Sequence, residues 1–181
     1  MAKPIGDLLA KLELPEIPEA ELRFVEALTH SSAGDGPNYE RLEFLGDAVL
    51  KLAVSDLLFE RLPQASEGVL TKIRARVVAD ATLAKVAHEL DLGSYLRMGT
   101  AERKSGGAGK VGTVAAAYEA LLAAIYQTYG WSPLVRLVET HLAAELDAAI
   151  QDPGAENFKA LLQEATQERF GVLPQYRVVG G

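Results

Sequence analysis

Glu40, Glu43 and Asp47 stand at i, i+3 and i+7 in a segment that reads as helix. That spacing aligns the three carboxylates on one helix face. The same segment carries Leu42, Phe44, Leu45, Val49, Leu50, Leu52 and Val54, so the helix is expected to be largely buried. A carboxylate in such surroundings loses hydration unless a positive charge offsets it. Lys51, one turn beyond Asp47, is placed to pair with it, but one lysine does not neutralise three carboxylates. Glu119 is a second oddity, the single charge between Val111 and Tyr126. If the two helices pack together, Glu43, Asp47 and Glu119 converge. Such a set, without His or Cys, suits Mg²⁺ or Mn²⁺. A metal there lowers the pKa of a water and offsets charge building on a scissile phosphate. Two plainer possibilities stay open at this point: a solvated acidic helix face, and a Glu119 paired with a distant Arg or Lys.

The elements that must position these groups read as helices nearly throughout. Leu8, Leu9 and Leu12 mark a short first helix, and Glu19 to His30 a second. Gly34-Asp35-Gly36-Pro37 is turn chemistry, followed by a long helix from about Tyr39 to Leu62. Ser66 is a candidate N-cap for the next helix, and Asp80 for one running from Ala81 to about Leu92-Gly93. Ser105 to Gly109 reads as a flexible loop and Thr113 to Tyr126 as an apolar helix. Ser132-Pro133 predicts a capped start for a helix reaching Ile150. Asn157 to Phe170 reads as amphipathic helix, and Gln175 to Val179 as the start of a strand. The expected organisation is an all-α domain over residues 1–150, a linker over 151–156, and the opening of a different, α/β domain over 157–181.

Composition sets the outer bounds. With 181 residues, 49% of them hydrophobic, the chain can bury a real core. The absence of cysteine excludes disulfides and thiolate metal sites, and a reducing, intracellular setting is expected. No signal peptide or membrane span is read, so the expectation is a soluble cytoplasmic protein with no membrane partner. The net charge of −7 argues mildly against nucleic acid. Between Thr71 and Lys110, however, eight basic residues face four acidic ones. That basic middle suits a polyanion, and equally a set of solvated helix faces.

The run Glu40-Arg41-Leu42-Glu43-Phe44-Leu45-Gly46-Asp47-Ala48-Val49-Leu50 resembles the signature of the ribonuclease III family. Ala27-Leu28-Thr29-His30-Ser31-Ser32 resembles the segment before that signature. Ser66-Glu67-Gly68-Val69-Leu70-Thr71-Lys72 resembles the family's second acidic motif. Ser105-Gly106-Gly107 and Tyr118-Glu119-Ala120-Leu121 resemble the last catalytic loop and helix. Asn157 to Glu164, with Pro174 to Val178, is similar to the first helix and first strand of a double-stranded-RNA-binding domain.

The resemblance implies an all-α endonuclease domain that works as a homodimer on double-stranded RNA. Each subunit would supply one acidic site, leaving 5′-phosphates and short 3′ overhangs. Glu43, Asp47 and Glu119 match the family's metal ligands, with Mg²⁺ as cofactor and Mn²⁺ as substitute. Glu40 and Glu67 match supporting acidic positions. Phe44 matches the aromatic that packs into the partner subunit, a role that plain core packing would mimic in sequence. Gln163 is the candidate RNA contact of the second domain, and Lys110 a candidate phosphate contact. A solvated glutamine and an ordinary surface lysine are their plainer counterparts. His30, His88 and His141 are too scattered for a His-based site; His30 reads as a structural hydrogen-bonding residue and Trp131 as a packing one.

One departure stands out. The family usually has an aspartate three residues before the last catalytic glutamate, and a serine a turn earlier. Here those positions are Ala116 and Gly112. Alanine cannot ligate, so two functions remain open: an active nuclease with an altered site, or a ribonuclease-III-like dimer that binds structured RNA without cutting.

Overall fold

The computed structural model describes residues 2–152, together with 166, 167, 169, 171 and 172. Its helices are α1 (Ile5–Lys11), α2 (Glu21–Ala27), α3 (Glu40–Arg61), α4 (Glu67–Val77), α5 (Asp80–Glu89), α6 (Thr100–Lys104), α7 (Val111–Tyr129), α8 (Trp131–His141) and α9 (Ala143–Gln151). There is no strand among the described residues; one isolated bridge joins Thr29 to Arg97. The all-α expectation for the first domain is met.

The apolar helix α7 forms the axis of the domain. Val114, Ala117, Tyr118, Ala120, Leu121, Leu122, Ala123, Ala124 and Ile125 are all shut off from solvent. α3 packs most extensively against it, α5 next, and α2 and α8 complete the sleeve. Each fully buried Leu or Ile in this sleeve contributes about 1.5–3 kcal/mol of transfer free energy. The small residues of α7 let its neighbours approach closely. At its end Gly130, at φ +84°, turns the chain into α8 in a conformation that other residues rarely adopt.

Several local expectations shift under tertiary packing. The second helix is shorter than Glu19 to His30: a 3₁₀ turn, Pro18–Ala20, precedes α2, and His30 lies outside it. His30 instead accepts from Ser32 N at 3.0 Å and stands 2.8 Å from Ser32 Oγ, a structural role. Ser66 caps α4 through Val69 N, as expected. Asp80 is not a cap: Ala79 holds that position and Asp80 is the first helical residue. α5 also stops at Glu89, before a separate 3₁₀ turn at Leu92–Ser94.

The glycine loop is partly ordered into a 3₁₀ turn, Gly107–Gly109, preceded by the short helix α6. The helix expected from Ser132 to Ile150 starts at Trp131, without a Ser132 cap, and breaks at Leu142. Leu142 is fully buried, and its backbone leaves the helical region at φ −106°, ψ 11°. Packing that side chain outweighs continuation of the helix. Arg61, at the end of α3, clamps both halves by pairing with Glu139 at 2.8 Å and Asp147 at 3.1 Å. Most of the helix and all of the strand expected in 157–181, Gln163 among them, lie outside the described residues; Thr166, Gln167 and Arg169, which are described, are helical.

Candidate active site at the crossing of α3 and α7

Where α3 crosses α7, Gly46 faces the Glu119 backbone. A Cβ built on Gly46 would overlap the Glu119 carbonyl oxygen and carbon. Only glycine permits this approach, and it brings the acidic face of α3 onto the one charged residue of the buried α7. Glu43, Asp47 and Glu119 are each half-buried there, while Glu40 is exposed.

The electrostatics report the crowding. Burial, and then the charges of Asp47, Glu43 and Asp80, push the Glu119 carboxyl up to about 7; Lys51 opposes them only weakly. Glu43 is raised by burial, then by Glu40, Asp80 and Asp47. The phenol of Tyr39 is pushed up to about 12 by burial and by Glu43, Glu40 and Glu102. The expected pairing of Lys51 with Asp47 is present at 2.8 Å. It satisfies one carboxylate and leaves the other charges uncompensated.

Among the described residues, no three His, Asp or Glu side chains stand close enough together to hold a metal ion as they are placed. The donor set fits a divalent cation in kind: hard oxygen ligands, partly desolvated, under a negative potential that a cation relieves. Lys51 engages one oxygen of Asp47, Oδ2.

The other predicted residues lie around this centre. Glu67 begins α4, exposed, and accepts from Thr71 Oγ1 at 2.8 Å. Lys110 pairs with Glu102 at 2.7 Å. Ala116 is part-buried against the core and brings only a methyl group to the turn before Glu119. Gly112 is exposed with open space around it.

Phe44 is 82% exposed, which excludes core packing within the single chain. It borders a groove of about 1080 Å³ with Leu22, Val25 and Leu45. Leu22, Leu52 and Phe59 are exposed as well. α3 is therefore buried on one side only, contrary to its largely buried appearance in sequence. Trp131 packs edge-to-face on Tyr126 at 6.4 Å, as a packing residue should.

The carboxylate that sequence reasoning missed is Asp80. It was legible only as a helix-start residue, because its proximity to Glu43 and Glu119 depends on how α5 docks on α7. One signal was present: Asp80, Leu83, Ala84 and Ala87 share a helix face, and the last three are buried.

With this geometry in hand, the comparisons with known proteins are decisive on family. A family model described as Ribonuclease-III-like matches residues 21–146. Ribonuclease 3 of Pseudomonas entomophila is 46% identical over 153 residues, covering 84% of this chain and 66% of that relative. Ribonuclease 3 of Natranaerobius thermophilus is 36% identical over 184 residues, covering 99% of this chain and 80% of that relative. The nuclease domain of ribonuclease III from Campylobacter jejuni superposes with a TM-score of 0.71 at 37% identity, covering 76% of this chain and 98% of that one. Dicer from Pichia stipitis shares the fold alone, with a TM-score of 0.57 at 24% identity over 92% of this chain and 77% of that one.

The domain is of the helical ribonuclease III nuclease class. The chain belongs to the ribonuclease III family. It spans about two thirds of the length of the Pseudomonas relative.

Proposed function

We propose that this protein is a double-stranded-RNA endonuclease that hydrolyses phosphodiester bonds at the carboxylate cluster of α3 and α7, with Mg²⁺ or Mn²⁺ as cofactor. The observation that carries this is the crowding of Glu43, Asp47 and Glu119 at a helix crossing that only Gly46 allows. Retention of a costly, partly desolvated negative site argues for a use of that charge. Glu43, Asp47 and Glu119 would hold the metal. A divalent cation there would lower the pKa of a water and offset charge on the phosphate. In the reaction the water oxygen bonds to phosphorus and the bond from phosphorus to the 3′ oxygen breaks, leaving a 5′-phosphate and a 3′-hydroxyl. Glu40, beside Glu43, adds to the negative potential that retains the cation.

Two sites are needed to cut both strands into products with short 3′ overhangs. The exposed Phe44 and its groove supply an apolar surface for a second copy of the chain. The nuclease domain from Campylobacter jejuni has a region involved in dimer formation, which supports the same arrangement here. Residues 157–181 are read as the opening of a double-stranded-RNA-binding domain after a linker at 151–156, with Gln163 as an RNA contact. Lys110, on release from Glu102, is the phosphate contact of the nuclease domain. No described helix is long and apolar enough to cross a membrane. A cytoplasmic role in RNA processing suits this set of features.

The second function, a dimer that binds structured RNA without cutting, is favoured by Ala116 and by the unconverged carboxylates. Incubation of a labelled RNA duplex with the protein, in Mg²⁺ and in EDTA, separates the two. Mg²⁺-dependent fragments bearing 5′-phosphates support the nuclease. A shifted but intact duplex in Mg²⁺ supports the binding protein instead.

A further inference from the structure

We propose that the cavity between the turn after α1 and the outer face of α8 binds a phosphate group, held by Lys11, Arg136 and His141 and separate from the carboxylate cluster. This goes beyond the nuclease function and does not depend on it.

The open cavity measures about 440 Å³, a size that suits a small ligand. Pro133, Arg136, Leu137 and Thr140 stand at i, i+3, i+4 and i+7 on α8, which gathers them on one helix face. Opposite them α1 ends in a reversal of the chain. Glu13 takes a left-handed conformation at φ +55°, and Leu14 N bonds back to the Leu9 carbonyl at 2.9 Å. The turn brings Lys11 and Glu13 against the α8 face.

The chain carries a net charge of −7, yet the cations at this cavity stand uncompensated. Lys11 donates to the Glu89 carbonyl oxygen at 2.9 Å, a neutral acceptor that leaves its charge in place. Asp91, which senses Lys11, is held by Lys3 at 2.7 Å. Arg136 is exposed, and its guanidinium has no described partner. Glu13 alone among the lining residues carries a carboxylate, and no described ion pair joins it to either cation.

His141 adds a third donor. The Tyr118 phenol is fully buried, and His141 Nδ1, at 3.1 Å, is its one described hydrogen-bond partner. The buried O–H hydrogen needs an acceptor, so Nδ1 accepts it. Burial, and then Lys11, push the His141 pKa down to about 4, which keeps the ring neutral near neutral pH. A neutral ring that accepts at Nδ1 carries its hydrogen on Nε2. His141 is half-buried and lines the cavity, and no described group takes Nε2. Two positive charges and a neutral N–H donor thus border one space, the donor set that a phosphate engages through charge-assisted hydrogen bonds. Tyr118 precedes Glu119, but successive residues turn about 100° around a helix, so the two side chains leave α7 in different directions.

The test is an amide NMR titration of the protein in EDTA with inorganic phosphate and, separately, with adenosine 5′-monophosphate, each against sodium chloride at matched ionic strength. The expected result is saturable, phosphate-specific shifts at the amides of Leu12 to Leu14 and Thr140 to Leu142. Arg136→Gln should weaken phosphate affinity about tenfold or more, the loss expected for a hydrogen bond to a charged group. Lys104→Gln, which removes an exposed cation elsewhere, should leave it unchanged. Tighter binding of the nucleotide, with shifts spreading to Leu137, identifies a nucleotide as the source of the phosphate; equal or weaker binding identifies free phosphate. Absent shifts at these amides, shifts that chloride reproduces, or affinity that persists in Arg136→Gln overturn the site. Equal weakening in Lys104→Gln, an effect of net charge, overturns it as well. Circular dichroism confirms that the helices of both variants are intact.

Discussion

Gly46 lies directly against the backbone carbonyl of Glu119, with no room between them for a side chain. This contact sets the separation of α3 and α7, and with it the spacing of every carboxylate at their crossing. The obstacle is backbone, which cannot swing aside, so a methyl group there must push the helices apart. Gly46→Ala is expected to cost about 3 kcal/mol or more, the upper end of overpacking penalties. Gly68→Ala, in the first turn of α4 with open space around it, is the control. It should be neutral or stabilising by up to about 1 kcal/mol. Thermal or urea unfolding of both variants checks this; equal stabilities would mean that the helices do not meet as described.

Glu119 makes stability depend on pH in an unusual direction. Its folded pKa of about 7 lies above the ordinary 4.5. The stabilising contribution is therefore present below pH 4.5 and lost as pH rises through 7. With EDTA present at about pH 8, Glu119→Gln should be more stable than the parent by on the order of 1 kcal/mol, after discounting for solvent screening. The difference should vanish toward pH 4.5. Urea midpoints at the two ends of this range measure it, and a less stable glutamine variant at the alkaline end would refute the charge crowding.

His141 acts oppositely. Its Nδ1 stands 3.1 Å from the hydroxyl of the fully buried Tyr118, and burial, aided by Lys11, pushes its pKa down to about 4. Stability from this neutral ring is fully present above pH 6.5 and is lost as pH falls toward 4. His141→Asn keeps a polar partner for Tyr118 but cannot titrate. Its unfolding free energy should fall less steeply over that interval than the parent's; parallel slopes would show that His141 is not buried neutral.

Phe44 should matter for association and hardly at all for folding. Truncating an aromatic anchor typically costs about 2 kcal/mol of binding, or roughly 30-fold in affinity. Phe44→Ala is expected to weaken self-association by that factor in analytical ultracentrifugation, with an unchanged melting profile of the monomer. Loss of monomer stability with unchanged association would return Phe44 to the core.

Much of this was readable from local chemistry. The limits of α3 follow from the turn before Tyr39 and the apolar run after it, and the Ser66 cap from its residue type. That Glu119 faces the acidic side of α3 was inferable because a lone charge in an apolar helix demands an explanation, although the three carboxylates do not close into a ligand set as placed. What escaped depends on docking. The Leu142 break reflects a core position that Ser132-Pro133 cannot announce, and the effect of Asp80 on Glu43 and Glu119 depends on how α5 docks against α7. The partner-facing role of Phe44 came from family resemblance alone, because an apolar residue on a long helix looks alike in sequence whether its cover is α7 or a second molecule.

The central claim is that the α3–α7 carboxylates form a hydrolytic metal site despite Ala116. Its most direct test is cleavage of a labelled RNA duplex in Mg²⁺ by the parent, Ala116→Asp and Glu119→Gln. Cutting by the parent, loss in Glu119→Gln, and equal or faster cutting by Ala116→Asp is the expected outcome. Intact duplex with all three proteins would contradict it.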